Sequence, residues 1–414
     1  MGKIEIDHTG SGGGITLSSD GTDLLLDGTA VGGSALELYA ENPSSPTAPS
    51  ATGTNAVAIG SGAVSSGSGS VALGLSHASG LSSFAAANNY NNTSFGAIGA
   101  YSVALGNFAK ASTTSSVAIG QGAQSTGNAA VTISAATSGL NGASGAVATA
   151  IGGNSSGSGS NATGTAAMAL GGSYASGASS FAAAIDNNTS SYGATGANSV
   201  AMGYQAKATA EYSVSFGPSN NVTAAYSGAY GRGNTVSGGG TGYAFGSENT
   251  VSSGSAFAFG SKASAATNKF AFSTSRFSSN GDAQEGKYIL RSDTTNATSE
   301  ALTTNNGTPF SDNQVILPNN SAYAFHGTIV ARQKAGDGTA SAAWKVEGLI
   351  RREGSAGTTV LVNSATTVLD NTPSWGMALS ADTTNGGLAI TVTGAASTNI
   401  RWVATIHTSE VTYA

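Results

Sequence analysis

SVAIGQGAQSTG, residues 116–127, is one copy of a unit that recurs through the middle of the chain. In the sister copy SVALG, 102–106, Val103 and Leu105 share one face of an extended backbone, and Ser102 and Ala104 share the other. A period of two is the signature of a β-strand. The glycine that closes the motif suits a tight turn or a backbone angle that other residues avoid. Closing glycines stand at Gly60, Gly74, Gly106, Gly120, Gly152, Gly171, Gly203, Gly217, Gly231, Gly246 and Gly260. Many spacings equal 14 residues, as from Gly60 to Gly74, Gly106 to Gly120, Gly203 to Gly217 and Gly246 to Gly260. With degenerate copies at 83–87, 130–134, 180–184 and 269–273, about fifteen units fill the zone. Each unit is long enough for two short strands and two turns, one coil of a narrow solenoid that encloses mostly Ala, Ser and Gly.

A longer period lies over the short one. Gly74, Ala87, Gly106, Gly120 and Ser134 each have a counterpart 97 residues later, at Gly171, Ala184, Gly203, Gly217 and Gly231. The interruptions match too, NNYNNTSFGAIGA at 88–100 answering IDNNTSSYGATGA at 185–197. An internal duplication accounts for both.

Charge divides the 414 residues into three zones. Residues 1–50 hold Lys3 against seven carboxylates and so carry the whole net charge of −6. Residues 51–282 form the nearly uncharged repeat zone. Residues 283–414 return to ordinary charge density and contain all three tryptophans, Trp344, Trp375 and Trp402. Charged residues total only 9% and form no basic field, which excludes a nucleic-acid partner. The small net charge argues against charge-driven disorder, and the 60 glycines do not recur at every third position as in collagen. Without cysteine there are no disulfides and no thiolate metal sites. The opening MGKIEIDHTGSGGG lacks an apolar run of signal-peptide length, and no run of ~20 large apolar residues occurs. The expectation is a chain neither exported by a classical signal nor anchored in a bilayer by itself.

One thin coil cannot bury the Val, Ile, Leu, Met and Phe at its bulky positions. Stacked coils cover one another's backbone edges but leave that stripe outside. The stripe asks for a partner, most economically identical copies around an axis. Here the residues carry a resemblance: SVAIGQGAQSTG (116–127) and SVAMGYQAKATA (199–210) resemble the head repeats of the trimeric autotransporter adhesins, the YadA-like family. The resemblance covers about 51–275 and implies a left-handed parallel β-roll in which three chains pack about one axis. That family's signal peptide, coiled-coil stalk and membrane barrel have no counterpart in the sequence. Phage fibre proteins with YadA-like repeats need none of them. The run from KYILRSDTTNAT (287–298) through LPNNSAYAF (317–325) to IRWVATIHTSEV (400–411) is similar to terminal domains of tail-fibre-like proteins of marine and cyanobacterial phages.

The expectation is therefore an all-β chain: a trimeric left-handed parallel β-roll shaft of ~14-residue repeats, then a C-terminal antiparallel β-sandwich or jelly roll. The segment 1–50, with a hairpin signal at Asp20-Gly21 in ITLSSDGTDLLLDGT (15–29), would attach to a phage tail or capsid protein. The shaft, 51–282, would be a spacer. The tip, 283–414, would reach a host cell-surface receptor, a polysaccharide or an outer-membrane component. The resemblance thus implies a homotrimeric tail fibre on the virion that attaches by multivalent binding without catalysis. A capsid fibre or decoration protein is the alternative, with a polysaccharide depolymerase tailspike behind both.

Candidate chemistry is sparse. A depolymerase needs a carboxylate pair flanking a sugar cleft. The shaft offers Asp186, Glu211 and Glu248 without repeated pairing, while Asp282 with Glu285 and Glu347 with Glu353 read as solvated turns and strand faces. His8, His77, His326 and His407 are scattered and not at metal-ligand spacing, and no GxSxG or P-loop pattern occurs. No enzyme activity, cofactor or metal is expected, the closing glycines are the structural residues, and the sequence assigns no receptor-binding residue. In the C-terminal zone alternation sets Tyr323, Phe325 and Ile329 against His326, Thr328 and Val330, and Trp344, Val346 and Ile350 against Lys345, Glu347 and Arg351. Turn signals at 335–339 and 383–387 separate seven or eight short strands, with all three tryptophans expected in the core.

Overall fold

A computed structural model describes residues 45, 47–87, 94–134, 142–152, 159–185, 191–336 and 338–413, with the backbone of four strands among the first thirty residues. The chain divides into two compact units, Met1–Ser115 and Ser116–Ala414. Among the described residues every regular element is a β-strand except a single 3-10 turn, Ala356–Thr358.

In both units each repeat folds as one coil. A strand of three or more residues, such as Val103–Leu105, is followed across a turn by a two-residue strand, such as Lys110–Ala111. Like strands of successive coils pair in parallel and in register. In the first unit Phe84, Ala85 and Ala86 lie opposite Val71, Ala72 and Leu73. In the second, Val117, Ala118 and Ile119 lie opposite Val131, Thr132 and Ile133. Among the described residues four such longer strands lie in the first unit and eleven in the second, so the repeat expected from the sequence is a parallel β-solenoid. Its interior is made of alanine from both kinds of strand, Ala104 and Ala118 from the longer, Ala111 and Ala208 from the shorter, all fully buried. Alanine loses no rotamer freedom on burial, so ordering a coil costs little side-chain entropy. Hydrogen bonds to the coils on either side satisfy the backbone and contribute about 1 kcal/mol each. The interruptions at 88–93 and 186–190 lie outside the described residues, as does Asp186.

Near the N-terminus Ile4–Ile6, Ile15–Ser19, Leu24–Leu26 and Thr29–Ala30 form a four-stranded antiparallel sheet. The hairpin expected within 15–29 pairs Leu17 with Leu26 and Ser19 with Leu24. Its Asp20-Gly21 turn lies outside the described residues.

The C-terminal region has nine strands: β1 (Ala283–Thr294), β2 (Ser299–Ala301), β3 (Val315–Ile316), β4 (Ser321–Gln333), β5 (Ser341–Arg352), β6 (Val360–Asp370), β7 (Gly376–Asp382), β8 (Gly387–Thr393) and β9 (Ile400–Thr412). The expectation of short strands is corrected here, because β1, β4, β5, β6 and β9 each run 11 to 13 residues. The apolar-polar alternation continues beyond the segments quoted above. Those five form one antiparallel sheet in the order β1-β9-β4-β5-β6. In a second antiparallel sheet β8 is flanked by β2 and β3 on one side and by β7 on the other. The inward residues of both sheets make one core containing Tyr323, Phe325, Ile329, Trp344, Val346, Leu388 and Ile390. Trp344 and Trp375 each lie 5.7 Å from Trp402 between ring centroids. The Trp402 indole N–H donates to Thr294 Oγ1 at 2.9 Å, so its burial leaves no donor unpaired. The last coil joins this sheet directly, Phe270, Ala271 and Phe272 pairing antiparallel with Lys287, Gly286 and Glu285 of β1.

Candidate functional site

Alternation along each longer strand places its middle residue inside and the flanking pair outside. Met168, at 40% exposure, and Phe272, at 43%, are typical of that outer stripe, and Val57, Ile133, Ile151 and Phe216 are similar. Toward the last coils the stripe turns aromatic. Ring centroids of Tyr230 and Phe245 stand 5.0 Å apart, Phe245 and Phe259 4.8 Å, and Phe259 and Phe270 5.0 Å, all stacked. These rings stack along the coil axis, yet their outer edges stay in water. A repeated apolar row of this kind marks an interaction surface.

Two different constraints hold glycine in the coils. At the closing position Gly217 has φ +105°, and a Cβ would stand 2.0 Å from the carbonyl oxygen of Gly231 in the next coil. A second row escapes the sequence reading. A Cβ on Gly145 would meet the Gly164 carbonyl oxygen at 2.0 Å, so there close approach alone excludes a side chain. Its signal was present as a further glycine seven residues after Gly60 and Gly120, at Gly67 and Gly127. In the later coils a buried asparagine ladder replaces alanine at the turn. Asn220 Oδ1 accepts from the Asn234 backbone N–H at 2.9 Å, Asn234 Oδ1 from Asn249 at 3.0 Å, and Asn249 Oδ1 from Ala263 at 2.9 Å. The Asn234 side-chain amide in turn donates to the Gly246 carbonyl at 2.9 Å.

Where the last coil meets the sandwich, β9 continues its inward alternation through Ile406 and Thr408 to Glu410. Lys269, from the coil, forms a buried ion pair with Glu410. Glu410 also accepts from Gln284 Nε2 at 2.8 Å and Thr408 Oγ1 at 2.6 Å. The Lys269 ammonium lies 5.9 Å from the Tyr288 ring centre and 5.7 Å from that of Tyr323. Burial pushes the Lys269 amine below its ordinary value, and the Glu410 charge opposes that push. Burial first, then the same carboxylate, raises both Tyr288 and Tyr323 well above the usual phenol. The two phenols therefore stay protonated at neutral pH beside the Lys269–Glu410 pair. Beside it opens a cavity of about 520 Å³ whose lining includes Lys269, Tyr288, Tyr323, Gln314 and Arg352.

The carboxylates singled out from the sequence do not converge. Asp282, expected in a solvated turn, is buried and organises its own loop, accepting from the backbone N–H groups of Phe277, Ser278 and Ser279 at 2.9, 2.6 and 2.7 Å. Burial pushes its carboxyl up, but those bonds outweigh burial and hold it below the usual range. Glu285 faces His407 at 3.6 Å. Glu347 pairs with Lys345 at 3.3 Å and Glu353 with Arg351 at 2.7 Å, on solvated faces. Glu248 pairs with Arg232 at 2.8 Å and with Lys262 at 3.4 Å. Strand pairing brings two of the scattered histidines together, His326 and His407 stacking at 5.4 Å between centroids. Among the described residues no group of three or more His, Asp and Glu side chains is placed to hold a metal ion.

Fold and surface define a class: a parallel β-solenoid with an uncovered apolar stripe, closed by an antiparallel sandwich. Three stretches of the solenoid, residues 51–76, 97–123 and 194–220, match the YadA head domain repeat. The YadA-like resemblance read from the sequence stands on that match. No curated protein matches the chain. Among solved structures it is similar to the tailspike protein of Acinetobacter phage vB_ApiP_P1, at 10% identity and TM-score 0.23, with 87% of this chain and 75% of that chain covered. It is also similar to tailspike gp49 of the Acinetobacter baumannii bacteriophage Fri1, described as a capsular polysaccharide depolymerase. There the identity is 10%, the TM-score 0.21 and the coverage 83% of this chain and 69% of that one. The expectation of a chain without enzymatic activity is corrected: the tailspikes it is similar to include a depolymerase, and glycan cleavage returns as a reading to be tested.

Proposed function

We propose that the chain is the subunit of a homotrimeric phage fibre that is carried on the virion and attaches to the host cell surface. The observation that carries this reading is the outer stripe of the solenoid, where residues such as Met168 and Phe272 stay about two-fifths exposed in a single chain. Identical chains around an axis would cover every stripe with the same contact. The match to the YadA head domain repeat supports that arrangement. Three copies on one fibre, and several fibres per particle, raise avidity through effective concentration. The acidic segment 1–50 would join the fibre to a tail or capsid protein. Labelled full-length chain should adsorb to host cells, and particles made with residues 1–50 deleted should lack the fibre while the purified chain remains trimeric. Undiminished incorporation after the deletion would remove the attachment role of that segment.

A second reading, cleavage of a surface polysaccharide, has the cavity beside Lys269 in its favour, because Asp282 and Asp312 line it. Asp282 is committed to its loop, which leaves Asp312 as the carboxylate to test. Purified chain incubated with host capsule should then release reducing ends, and Asp312→Asn should abolish the release.

A further inference from the structure

The outer stripe does not end with the last coil. Strand pairing sets Phe270 opposite Lys287 and Phe272 opposite Glu285, so the outward side chains of that coil and of β1 share one face of a continuous sheet. On this face Phe257, Phe270 and Ile289 line one groove of about 560 Å³. From Ile289, which is 56% exposed, the apolar surface steps diagonally to Val403 on β9, and Val403 stands directly opposite Val330 on β4. An apolar band thus leads from the coils across β1, β9 and β4. Single apolar residues on a surface need no partner, but a contiguous row marks a contact.

The sandwich has a second uncovered surface. Among the described residues β6 pairs with β5 alone, and every residue from Val362 to Asp370 is exposed, so neither of its faces is covered. The register with β5 skips Val362 and Leu369, leaving each in a bulge. Bulges spoil an edge for the addition of a further strand and re-aim side chains. β6 therefore offers Val362, Val368 and Leu369 rather than its backbone. A ring of identical chains needs two different surfaces on each chain, one for each neighbour. The band and β6 are two such surfaces, and the band continues the stripe that calls for identical copies. Their charges are complementary. Lys287 and Arg291 flank the band, Asp370 ends β6, and none of the three enters an ion pair among the described residues.

We propose that in the assembled fibre β6 of one chain lies across the band of the next, with Val362, Val368 and Leu369 packed on Ile289, Val403 and Val330. The proposal rests on the homotrimeric reading and extends its contact from the solenoid to the sandwich. The chain has no cysteine, so one introduced thiol reports on one position. Val403→Cys and Leu369→Cys replace side chains that are 41% and 59% exposed in a single chain, and each thiol should react with a maleimide at least ten-fold slower in the native assembly than in denaturant. A second substitution on β6, Leu369→Asp or Val362→Asp, should speed the reaction of the Val403→Cys chain ten-fold or more. Both β6 positions are exposed in a single chain, so neither substitution disturbs its core. Within one chain β5 and β4 separate β6 from β9, so that coupling passes through a neighbouring chain. Native rates within ten-fold of the unfolded ones at either position overturn the proposal, as does a Val403→Cys thiol that neither β6 substitution uncovers. Light scattering on the same samples separates the two readings. A three-chain particle with a reactive thiol sinks this contact alone, whereas a single-chain mass sinks the homotrimeric reading and the contact with it.

Discussion

Val147 occupies a left-handed turn, φ +57°, with its side chain largely in solvent. A β-branched residue tolerates that conformation poorly, and most equivalent turns use Ser, Asn, Ala or Tyr instead. Val147→Asn should therefore stabilise the coil by about 1 kcal/mol, read as a raised thermal midpoint. Asp282 and Asp382 make a prediction about acid. Both carboxyls are raised by burial but lowered further by hydrogen bonds, from Ser278, Ser279 and Phe277 for Asp282 and from Asn385 and Thr384 for Asp382. Their folded values lie below the unfolded one. The stability they contribute is thus complete above the ordinary carboxylate value of 3.8 and is lost as pH falls below it through the folded values. A thermal-melt series should show a midpoint that is steady near neutrality and drops in acid, with a smaller drop in Asp282→Asn. Glu410 shows what residue-level reading can and cannot find. In WVATIHTSEV it occupies the same inward parity as Trp402 and Ile406, and a glutamate there requires a buried partner. Its partner Lys269 lies 141 residues earlier, in a different kind of repeat, and nothing local announces it. Lys269→Met, which leaves that carboxylate buried and unpaired, should cost about 3–5 kcal/mol in chemical denaturation.

At the scale of the coil, two individual glycines, one from each row, predict different penalties for the same substitution. Gly171 has φ +63° but open space around its Cβ position, so Gly171→Ala carries only the backbone cost of about 1–2 kcal/mol. Gly145→Ala drives a methyl group into the Gly164 carbonyl, forces neighbouring coils apart, and should cost about 3 kcal/mol or more. Equal midpoints for the two variants would contradict the close-approach argument. Asn234→Ala should cost about 2 kcal/mol, because the Asn249 N–H and the Gly246 carbonyl both lose a partner. The coil itself was legible in the alternation of Val103, Ala104 and Leu105 and in the spacing of the closing glycines. The second glycine row and the asparagine ladder were less so, because both arise between coils. Glycine and asparagine at turns read as ordinary turn chemistry until the neighbouring coil is stacked on them.

For the whole molecule, the all-β organisation and the tryptophan core followed from periodicity, and the C-terminal sheets kept the inward and outward assignments of 323–330 and 344–351. The cavity did not follow, since its lining is gathered from the last coil, the loop before β1, the segment around Gln314 and the end of β5. Sparse sequence motifs cannot report a site built from distant strands. What organises the rest of the account is the outer stripe, and its burial by identical chains can be read from a single quantity, the absolute mass in solution by light scattering. The account predicts a particle of three 40.1 kDa chains, about 120 kDa, that persists on dilution. A stable monomer of 40.1 kDa would contradict it, because the stripe would then be tolerated in water and both the fibre and its avidity would lose their physical basis.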